Sequence, residues 1–427
     1  MNAPTLPPPQ AAHSLPIREI ETPRGVRAWL VEDQTAPLIA LRFAFRGGAT
    51  QDPAGKAGLA NMTAGLLDEG AGPYDSAAFH ERLDEFAVEL SFDADRDALG
   101  GSLRTLTRHR DEAFEMLRLA LVEPRFDEDA VERIRAQLTA GLKHEAKDPD
   151  SIVGRAFAEA AFPGHPYGLA VNGSLETTPG LKRADIAALK GRVIARDNLI
   201  IGIVGAISES EAIAALDRIF GELPARASLT ATPNVAPAGA GTVIVKTIDI
   251  PQTALRFGRP GLGRKDADFI PAMVVNHIFG GGVFQSRLFK EVREKRGLAY
   301  SVWSSIVAND HAALLFGGTS TKNERAAESI AVIREQIDDL TRNGPSDEEI
   351  EKAKKFITGS YALRFDSSTK IAGQLVHMQL DELGIDWMQR RNGLVWAVTR
   401  DDVMRTAGRL FGDGKLLVAA AGQPQGL

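Results

Sequence analysis

Arg293 and Tyr300 are the two residues of this sequence whose types and spacing first suggest chemistry. They lie seven positions apart in "EVREKRGLAYSVW", residues 291–303, on either side of Gly297. A guanidinium and a phenol can both donate hydrogen bonds to an oxygen atom. The pattern predicts that a helix ends at Gly297 and that Tyr300 begins an apolar strand. From this stretch alone, the ordinary interpretation is a solvated arginine on a helix end and a tyrosine in the core.

Other common catalytic patterns are missing from the sequence. No two histidines are three to five positions apart, so they form no helical metal-binding pair. Neither a GxSxG nucleophile elbow nor a P-loop occurs. The glycine-rich "FGGG", Phe279 to Gly282, is either a tight entry to a helix or strand or a loop that faces a substrate. Asp68 and Glu69, which follow an apolar helix, are interpreted as a helix end. The eight histidines are His13, His80, His109, His144, His165, His277, His311 and His377.

Composition and charge indicate an ordinary globular protein of two or three domains. The chain has 427 residues, of which 44% are hydrophobic and 25% charged. Its formal net charge of -6 gives no reason to expect nucleic acid or an anionic membrane as a partner. The absence of cysteine excludes disulfides, thiolate zinc sites and cysteine nucleophiles. No run approaches about 18 consecutive apolar residues, so no membrane span is predicted.

The N-terminal segment gives an expectation about location. Residues 1–14 are rich in proline and alanine and are predicted to form a flexible arm. They lack the basic region and apolar run of a signal peptide. We therefore expect a cytoplasmic protein, or a periplasmic one if the true start lies upstream.

Three pairs of similar segments indicate that one fold occurs twice along the chain. The pairs keep the same order and have nearly equal offsets of 214, 220 and 217 positions. Such agreement is typical of an internal duplication. The pairs are "ALRF" at 40–43 and 254–257, "FDEDAVERIRAQL" from Phe126 and "SDEEIEKAKKFIT" from Ser346, and "RADIAALKGRVIARDNLIIGIVG" from Arg183 and "RDDVMRTAGRLFGDGKLLVAAAG" from Arg400.

Each copy is predicted to be an α/β domain. Strand-like segments such as "LIALRFAFRGG" and "NLIIGIVGAI" alternate with amphipathic segments such as "DSAAFHERLDEFAVEL". This order predicts a mixed β-sheet covered by helices on one face. We place the two homologous domains at residues 15–228 and 242–427. An Ala-, Pro- and Gly-rich linker at 229–241 is predicted to join them.

Several motifs, in order along almost the whole chain, resemble those of one peptidase family. "FGGGVFQSRLFKEVREKRGLAYSV", residues 279–302, closely resembles the C-terminal signature of the pitrilysin-type zinc metallopeptidases, which include the processing peptidases and the insulin-degrading enzymes. "GGATQDPAGKAGLANMTAGLLDEGA" resembles the stretch that holds the zinc helix of that family. "VEPRFDEDAVERIRAQL" and "FPGHPYGLAVNGSLETTPGLKRADI" are similar to two further family stretches. The resemblance implies two homologous domains that close like a clam shell around a peptide chamber.

The residues that would bind zinc in such a peptidase are missing here. The zinc box of the family, His-x-x-Glu-His, follows a Gly-Leu-Ala sequence, and its Glu activates water. Aligned after "GLA", the first His falls on Asn61, the Glu on Ala64 and the second His on Gly65. The third ligand, a Glu on a later helix, falls at about Ala140 or Gly141. Because a methyl group or a hydrogen cannot coordinate zinc, we predict no metal on this chain.

The resemblance gives Arg293 and Tyr300 a catalytic interpretation. Family members use an Arg and a Tyr with this spacing, from the C-terminal domain, to complete the active site. The Tyr hydroxyl would stabilise the negative charge of a tetrahedral intermediate. The Arg would hold a substrate carbonyl with forked hydrogen bonds and support the Tyr electrostatically. The residues expected to contact the substrate are Gly280, Gly281, Gly282 and Phe284.

The resemblance also implies a partner. Some bacterial members consist of two different subunits, one with the zinc box and one with the Arg/Tyr pair, and this sequence is similar to the second kind. We therefore expect a heterodimer with a zinc-bearing homologous subunit, zinc on that partner, a peptide substrate, and no activity of the chain alone. Neither nucleic acid nor a membrane is expected as a partner.

Two alternatives remain open. In the first, the chain is a non-catalytic structural or peptide-binding homologue, with Tyr300 a packed strand residue and Arg293 a surface or interface charge. In the second, it is a homodimer with a relocated metal site.

Overall fold

The computed structural model describes residues 15–427 as two β-sheets flanked by helices, and the predicted arm at 1–14 lies outside the described residues. The strands are β1 (Arg18–Glu21), β2 (Arg27–Glu32), β3 (Leu38–Arg46), β4 (Glu89–Ala94), β5 (Ala98–Leu106), β6 (Leu199–Gly205), β7 (Val243–Thr247), β8 (Gln252–Pro260), β9 (Ala299–Ala308), β10 (Ala313–Lys322) and β11 (Leu417–Gly422).

Helices supply most of the remaining regular structure. The α-helices are α1 (Leu59–Ala64), α2 (Ser76–Glu85), α3 (Arg110–Val122), α4 (Glu128–Glu145), α5 (Pro149–Ala161), α6 (Arg183–Val193), α7 (Glu209–Phe220), α8 (Phe269–Asn276), α9 (Ala326–Arg342), α10 (Asp347–Gly359), α11 (Ser368–Leu380), α12 (Trp387–Ala397) and α13 (Arg400–Phe411). Two segments are π-helical, His277–Gly281 and Phe289–Lys295. Short 3-10 turns occupy Ala49–Gln51, Thr107–His109, Pro166–Gly168, Thr178–Gly180, Val283–Gln285, Asn323–Arg325 and Ser360–Phe365. None of the helices in the described part is long and apolar enough to cross a bilayer.

Five strands of each sheet have the same order, with β1 as an additional edge strand of the first sheet, and this confirms the predicted duplication of an α/β fold. The first sheet is ordered β1-β2-β6-β3-β5-β4, and the second β7-β11-β8-β10-β9. In each sheet one parallel pair, β2 with β6 or β7 with β11, adjoins three successive antiparallel pairs. β3 and β8, which contain the repeated "ALRF", occupy the same place in their sheets. All strands of the first sheet precede residue 206, and all strands of the second follow residue 242.

Local sequence determines where three of the helices begin. Ser208 before α7, Ser346 before α10 and Thr399 before α13 each accept a hydrogen bond from the backbone N–H three residues later. The acidic residue at that position accepts one in return from the backbone N–H of the Ser or Thr. These reciprocal bonds satisfy N–H groups that a helix start leaves without partners.

Each half of the chain places one helix on the sheet of the other half. α5 packs on β8 and β11, whereas α11 packs on β3 and β6. A Cβ at Gly202 of β6 would lie 2.6 Å from the carbonyl oxygen of Ala372, so glycine is needed where α11 approaches. A Cβ at Gly258 of β8 would similarly lie 2.7 Å from Cζ of Phe157 on α5. The prediction of helices on one face was therefore incomplete, because an exchanged helix covers the opposite face of each sheet.

The predicted linker, 229–241, contains neither helix nor strand and is hydrogen-bonded to both halves. The N–H of Val235 donates to the carbonyl of His311 at 2.9 Å, and that of Ala238 donates to Ala161 at 2.8 Å. The domain boundaries on either side of it stay a prediction.

Buried Tyr167 forms hydrogen bonds with both halves of the chain close to this segment. The hydroxyl of Tyr167 lies 2.7 Å from each carboxylate oxygen of Asp97 and accepts the N–H of His311 at 3.0 Å. The N–H of Asp310 also donates to Asp97, at 3.1 Å. Burial raises the pKa of Asp97, and burial together with that carboxylate raises the pKa of Tyr167. The hydroxyl therefore serves groups from both halves.

We expect Tyr167→Phe to lower the free energy of unfolding by about 1–3 kcal/mol, because the change removes a hydrogen bond to Asp97 and leaves the N–H of His311 without its acceptor. Chemical denaturation would measure the loss. Tyr74→Phe, which removes a half-buried hydroxyl from the first half alone, is the matched control. Equal stability of the two variants would contradict the role of this hydroxyl.

Candidate functional site

The structure brings the predicted pair, Arg293 and Tyr300, into contact. Arg293 lies in the π-helical segment Phe289–Lys295, and Tyr300 is the second residue of β9. Gly297, with a φ of +58°, allows the backbone to leave the helix and enter the strand, as predicted. Cζ of Arg293 lies 4.4 Å from the centroid of the Tyr300 ring, a cation–π distance.

Both polar groups are available to a ligand. Tyr300 is 81% exposed, which contradicts the alternative in which it packs into a core. Glu291 is engaged by Lys295 and Arg296. Within residues 15–427, no acidic side chain forms an ion pair with Arg293. Its guanidinium instead contacts the rings of Phe289 and Tyr300. An unpaired guanidinium beside an exposed phenol can bind carbonyl or carboxylate oxygens.

Two further aromatic side chains adjoin the pair, buried Phe289 and exposed Phe284. The ring of Phe289 lies 4.9 Å from Cζ of Arg293, and the ring of Phe284 packs edge-on against Phe289 at 5.2 Å. Phe284 is 68% exposed. Val283 before it has a φ of +38°, which a β-branched residue rarely adopts. A strained turn thus presents Phe284 to solvent beside the guanidinium.

The three glycines of "FGGG" serve close packing. A Cβ at Gly280 would lie 2.5 Å from Oγ of Ser304, and a Cβ at Gly282 would lie 2.6 Å from the carbonyl oxygen of His277. Gly280 and Gly282 are buried, whereas Gly281 is half-buried. This geometry favours the tight entry over the substrate-facing loop, and substrate contact by the glycines stays a prediction. Gly280 packs closely against Ser304 of β9, the strand that also contains Tyr300.

The positions of the degenerate zinc box lie on and beside α1. Ala64 is buried, and Asn61 and Gly65 are half-buried. Ala140 and Gly141 are exposed on α4. Asn61 has the sole polar side chain of the five, so these residues do not fit a zinc ion. Across residues 15–427, no three His, Asp or Glu side chains form a group that could hold a metal.

A half-buried carboxylate caps the helix that carries the degenerate zinc box. Asp52 accepts the N–H of Gly58 and that of Ala60, both at 2.8 Å. Burial raises the pKa of Asp52 to about 7 even though these bonds favour its charged form. These hydrogen bonds satisfy two backbone N–H groups at the start of the helix.

The second half also contains a cavity that the sequence analysis missed. Its volume is about 380 Å³, and Arg264, Tyr361 and Arg391 are among its lining residues. One sequence feature points to it. Arg391 shares the buried face of α12 with Met388 and Val395, three and four positions away, where an apolar residue is expected.

Comparison with known proteins identifies the family. Residues 27–174 match the family model "Insulinase (Peptidase family M16)", and residues 180–357 match "Peptidase M16 inactive domain". The chain belongs to peptidase family M16. The family predicted from the sequence motifs is therefore confirmed.

Relatives of this M16 chain carry different descriptions. A "non-peptidase homolog YmxG" of Helicobacter pylori is 27% identical over 335 residues, which cover 78% of this chain and 77% of the relative. An "uncharacterized zinc protease YmxG" of Bacillus subtilis is 23% identical over 355 residues, covering 82% and 85%. The family thus includes relatives described as peptidases and one described as a non-peptidase.

Solved structures share the fold over nearly the whole M16 chain. A peptidase M16 inactive domain from Pseudomonas fluorescens superimposes with a TM-score of 0.90 at 26% identity, covering 96% of this chain and 98% of the other. A protease from Helicobacter pylori gives a TM-score of 0.87 at 16% identity, covering 96% and 100%. The second likeness shows the fold alone.

Proposed function

We propose that this chain is the zinc-less subunit of a two-chain peptidase and that it supplies Arg293 and Tyr300 to an active site whose zinc lies on a homologous partner. The observation that carries the proposal is the contact between an exposed phenol and a guanidinium without an acidic partner. The three aligned box positions and the third-ligand position, by contrast, offer one polar side chain, that of Asn61. The partner's zinc would activate the attacking water.

Tyr300 would stabilise the charge that develops on the substrate. When water attacks a peptide carbonyl, its oxygen becomes negatively charged, and a preorganised O–H donor stabilises that charge more than it stabilises the neutral carbonyl. The cation–π contact with Arg293 fixes the ring and places a positive charge beside the phenol. The hydroxyl is therefore held ready for the transition state.

Arg293 would orient the substrate along the sheet. Its forked donors match a backbone carbonyl of the peptide. β9 is the terminal strand of the second sheet, so an extended peptide can pair with its outer edge as a further strand. Exposed Phe284 would then meet an apolar side chain of that peptide. Together these groups would line one wall of the chamber between the subunits.

A second candidate function is a structural or peptide-binding subunit without a catalytic role. The description of the Helicobacter pylori relative as a non-peptidase and the match to an inactive-domain model favour it. Under this candidate the peptide still binds beside Arg293, but the rate of cleavage does not depend on the Tyr300 hydroxyl.

Co-expression with M16 chains that retain the His-x-x-Glu-His box, chosen from the same genome, tests the proposal. We expect the lone chain to cleave no peptide and to hold no stoichiometric zinc. The complex should contain one zinc per heterodimer and should cleave a fluorogenic peptide library. Metal analysis and cleavage assays on the separated and combined chains give the result.

Two controls make the outcome decisive. A partner whose zinc-box Glu is changed to Gln should form the complex but not cleave. Stoichiometric zinc with cleavage by the lone chain would contradict the proposal. Full activity of the partner without this chain would instead support the structural candidate.

A further inference from the structure

The cavity in the second half adjoins the "FGGG" segment, since Gly281, a predicted substrate contact, is among its lining residues. It is enclosed by α8, the Ser360–Phe365 turn, α11 and α12, with β9 along one side. Its volume of about 380 Å³ falls within the usual range of small-molecule sites. Neither Arg293 nor Tyr300 lines it.

A buried arginine in the wall has no counter-charge. Arg391 is 5% exposed, and its recorded hydrogen bonds run from Nη1 to the carbonyl of Ile357 at 3.2 Å and to Oδ1 of Asn392 at 2.9 Å. Its Cζ lies 4.0 Å from the ring centroid of Tyr361. No carboxylate in residues 15–427 forms an ion pair with it, and residues 1–14 contain neither Asp nor Glu. Buried charges in proteins are ordinarily paired.

The surrounding charges do not compensate Arg391. Arg264 also lines the cavity, and its Nε lies 2.7 Å from Oδ2 of Asp381, so the one lining carboxylate is already engaged. Arg364, which is exposed, adds a third guanidinium where the cavity meets solvent. Burial, with a smaller contribution from these two arginines, lowers the pKa of Arg391 to about 10. The cavity therefore carries an excess of positive charge.

The same wall is aromatic and apolar. Trp387 and Phe269 are buried and line the cavity, and Cζ of Arg264 lies 4.9 Å and 4.5 Å from their ring centroids. Met273 and Met378 complete the apolar lining. Flat rings and flexible thioethers suit the apolar body of an organic molecule.

We propose that this cavity binds a small organic oxyanion, a carboxylate or phosphate group on an apolar body, with Arg391 as the residue that receives the anion. The guanidinium presents paired donors to two oxygens of such a group. Nε and Nη2 of Arg391 form no hydrogen bond with residues 15–427. A bound anion would therefore supply acceptors for these two atoms as well as the missing negative charge. Trp387 and Phe269 would hold the apolar body.

Calorimetric titration of the purified full chain with four probes tests the proposal. The probes are 2-naphthoate, 2-naphthyl phosphate, neutral 2-naphthol and inorganic phosphate. We expect at least one of the two naphthyl anions to bind at least about tenfold more tightly than 2-naphthol and than inorganic phosphate. The stronger of the two identifies the oxyanion. Equal binding of 2-naphthol, or no binding of either naphthyl anion at millimolar concentration, would overturn the proposal without any variant being needed.

Variants then test Arg391 itself. Arg391→Gln should weaken the affinity for the tighter-binding probe by about 10- to 100-fold. Arg390 is an exposed neighbour that does not line the cavity, so Arg390→Gln should change this affinity by no more than about twofold. Arg391→Met should also raise the melting temperature of the ligand-free chain, because it removes an uncompensated buried charge. Unchanged probe affinity in Arg391→Gln would overturn the assignment. So would a large fall in the melting temperature of Arg391→Met, which indicates a merely structural arginine.

Discussion

Replacement of Tyr300 by phenylalanine is expected to lower kcat of the proposed two-chain peptidase by about 100-fold, with little change in KM. The loss corresponds to one oxyanion donor, which typically contributes a factor of about 100 to 1000. Phenylalanine keeps the ring on which Arg293 rests, 4.4 Å from its centroid, so the change removes the hydroxyl alone. Because the neutral carbonyl of the bound substrate gains less from that hydroxyl than the oxyanion does, the effect should fall on kcat.

Steady-state kinetics of the purified complex would measure this effect. Tyr74→Phe, a hydroxyl deletion far away in the sequence and on the other half, should leave kcat within about twofold. Size-exclusion chromatography of each variant with its partner shows whether assembly is intact. A Tyr300→Phe complex that assembles and cleaves at the full rate would exclude the hydroxyl from catalysis and favour the structural candidate.

The pairing of Arg293 with Tyr300 was predicted through the resemblance to the family, and local backbone geometry brings the two side chains into contact. Gly297 ends a short helix, and the left-handed backbone there directs the chain into β9 within a few residues. The spacing alone left the exposure of Tyr300 undecided, since a tyrosine that opens an apolar strand is ordinarily buried. Ala299 and Val302 of the same strand are buried, so the exposure of Tyr300 depends on which elements cover each part of β9.

The exchange of α5 and α11 could not be predicted from the sequence. Apolar periodicity shows which face of a helix is buried, but not which sheet covers it. Gly202 interrupts the otherwise apolar strand β6, and Gly258 lies within β8. An isolated strand glycine indicates a close approach by another element. The identity of that element required the three-dimensional packing, in which it belongs to the other half.

The cavity around Arg391 illustrates a different limit. An arginine in a helix is ordinarily solvated, and the sequence "MQRRNGLV" contains two adjacent ones. The two arginines differ in the face of α12 that they occupy. Arg391 lies on the buried face with Met388 and Val395, whereas Arg390 is exposed. The missing counter-charge depends on residues that are distant in sequence, so the sequence alone does not show it.

The helix exchange leads to the second large effect, on stability. Phe157 on α5 is 2% exposed and packs with Ala254, Leu417 and Ala419 of the second sheet, and its ring centroid lies 4.9 Å from that of Phe316. Phe157→Ala should therefore lower the free energy of unfolding by about 3–5 kcal/mol. The lost packing lies against the second sheet, although Phe157 belongs to the first half. Because each half depends on a helix from the other, both halves should unfold in one transition, and the substitution should shift that whole transition.

Calorimetry and urea denaturation, followed by tryptophan fluorescence, would measure that transition. Leu375→Ala on α11, a fully buried residue in the equivalent exchanged helix, should lower the same transition by about 2–5 kcal/mol. Phe356→Ala is the matched control. Phe356 lies on α10 and is 53% exposed, so its replacement should change the free energy of unfolding by about 0.5 kcal/mol or less. Two separate transitions, of which Phe157→Ala shifts one and Leu375→Ala the other, would mean that each half is stable without the helix it receives.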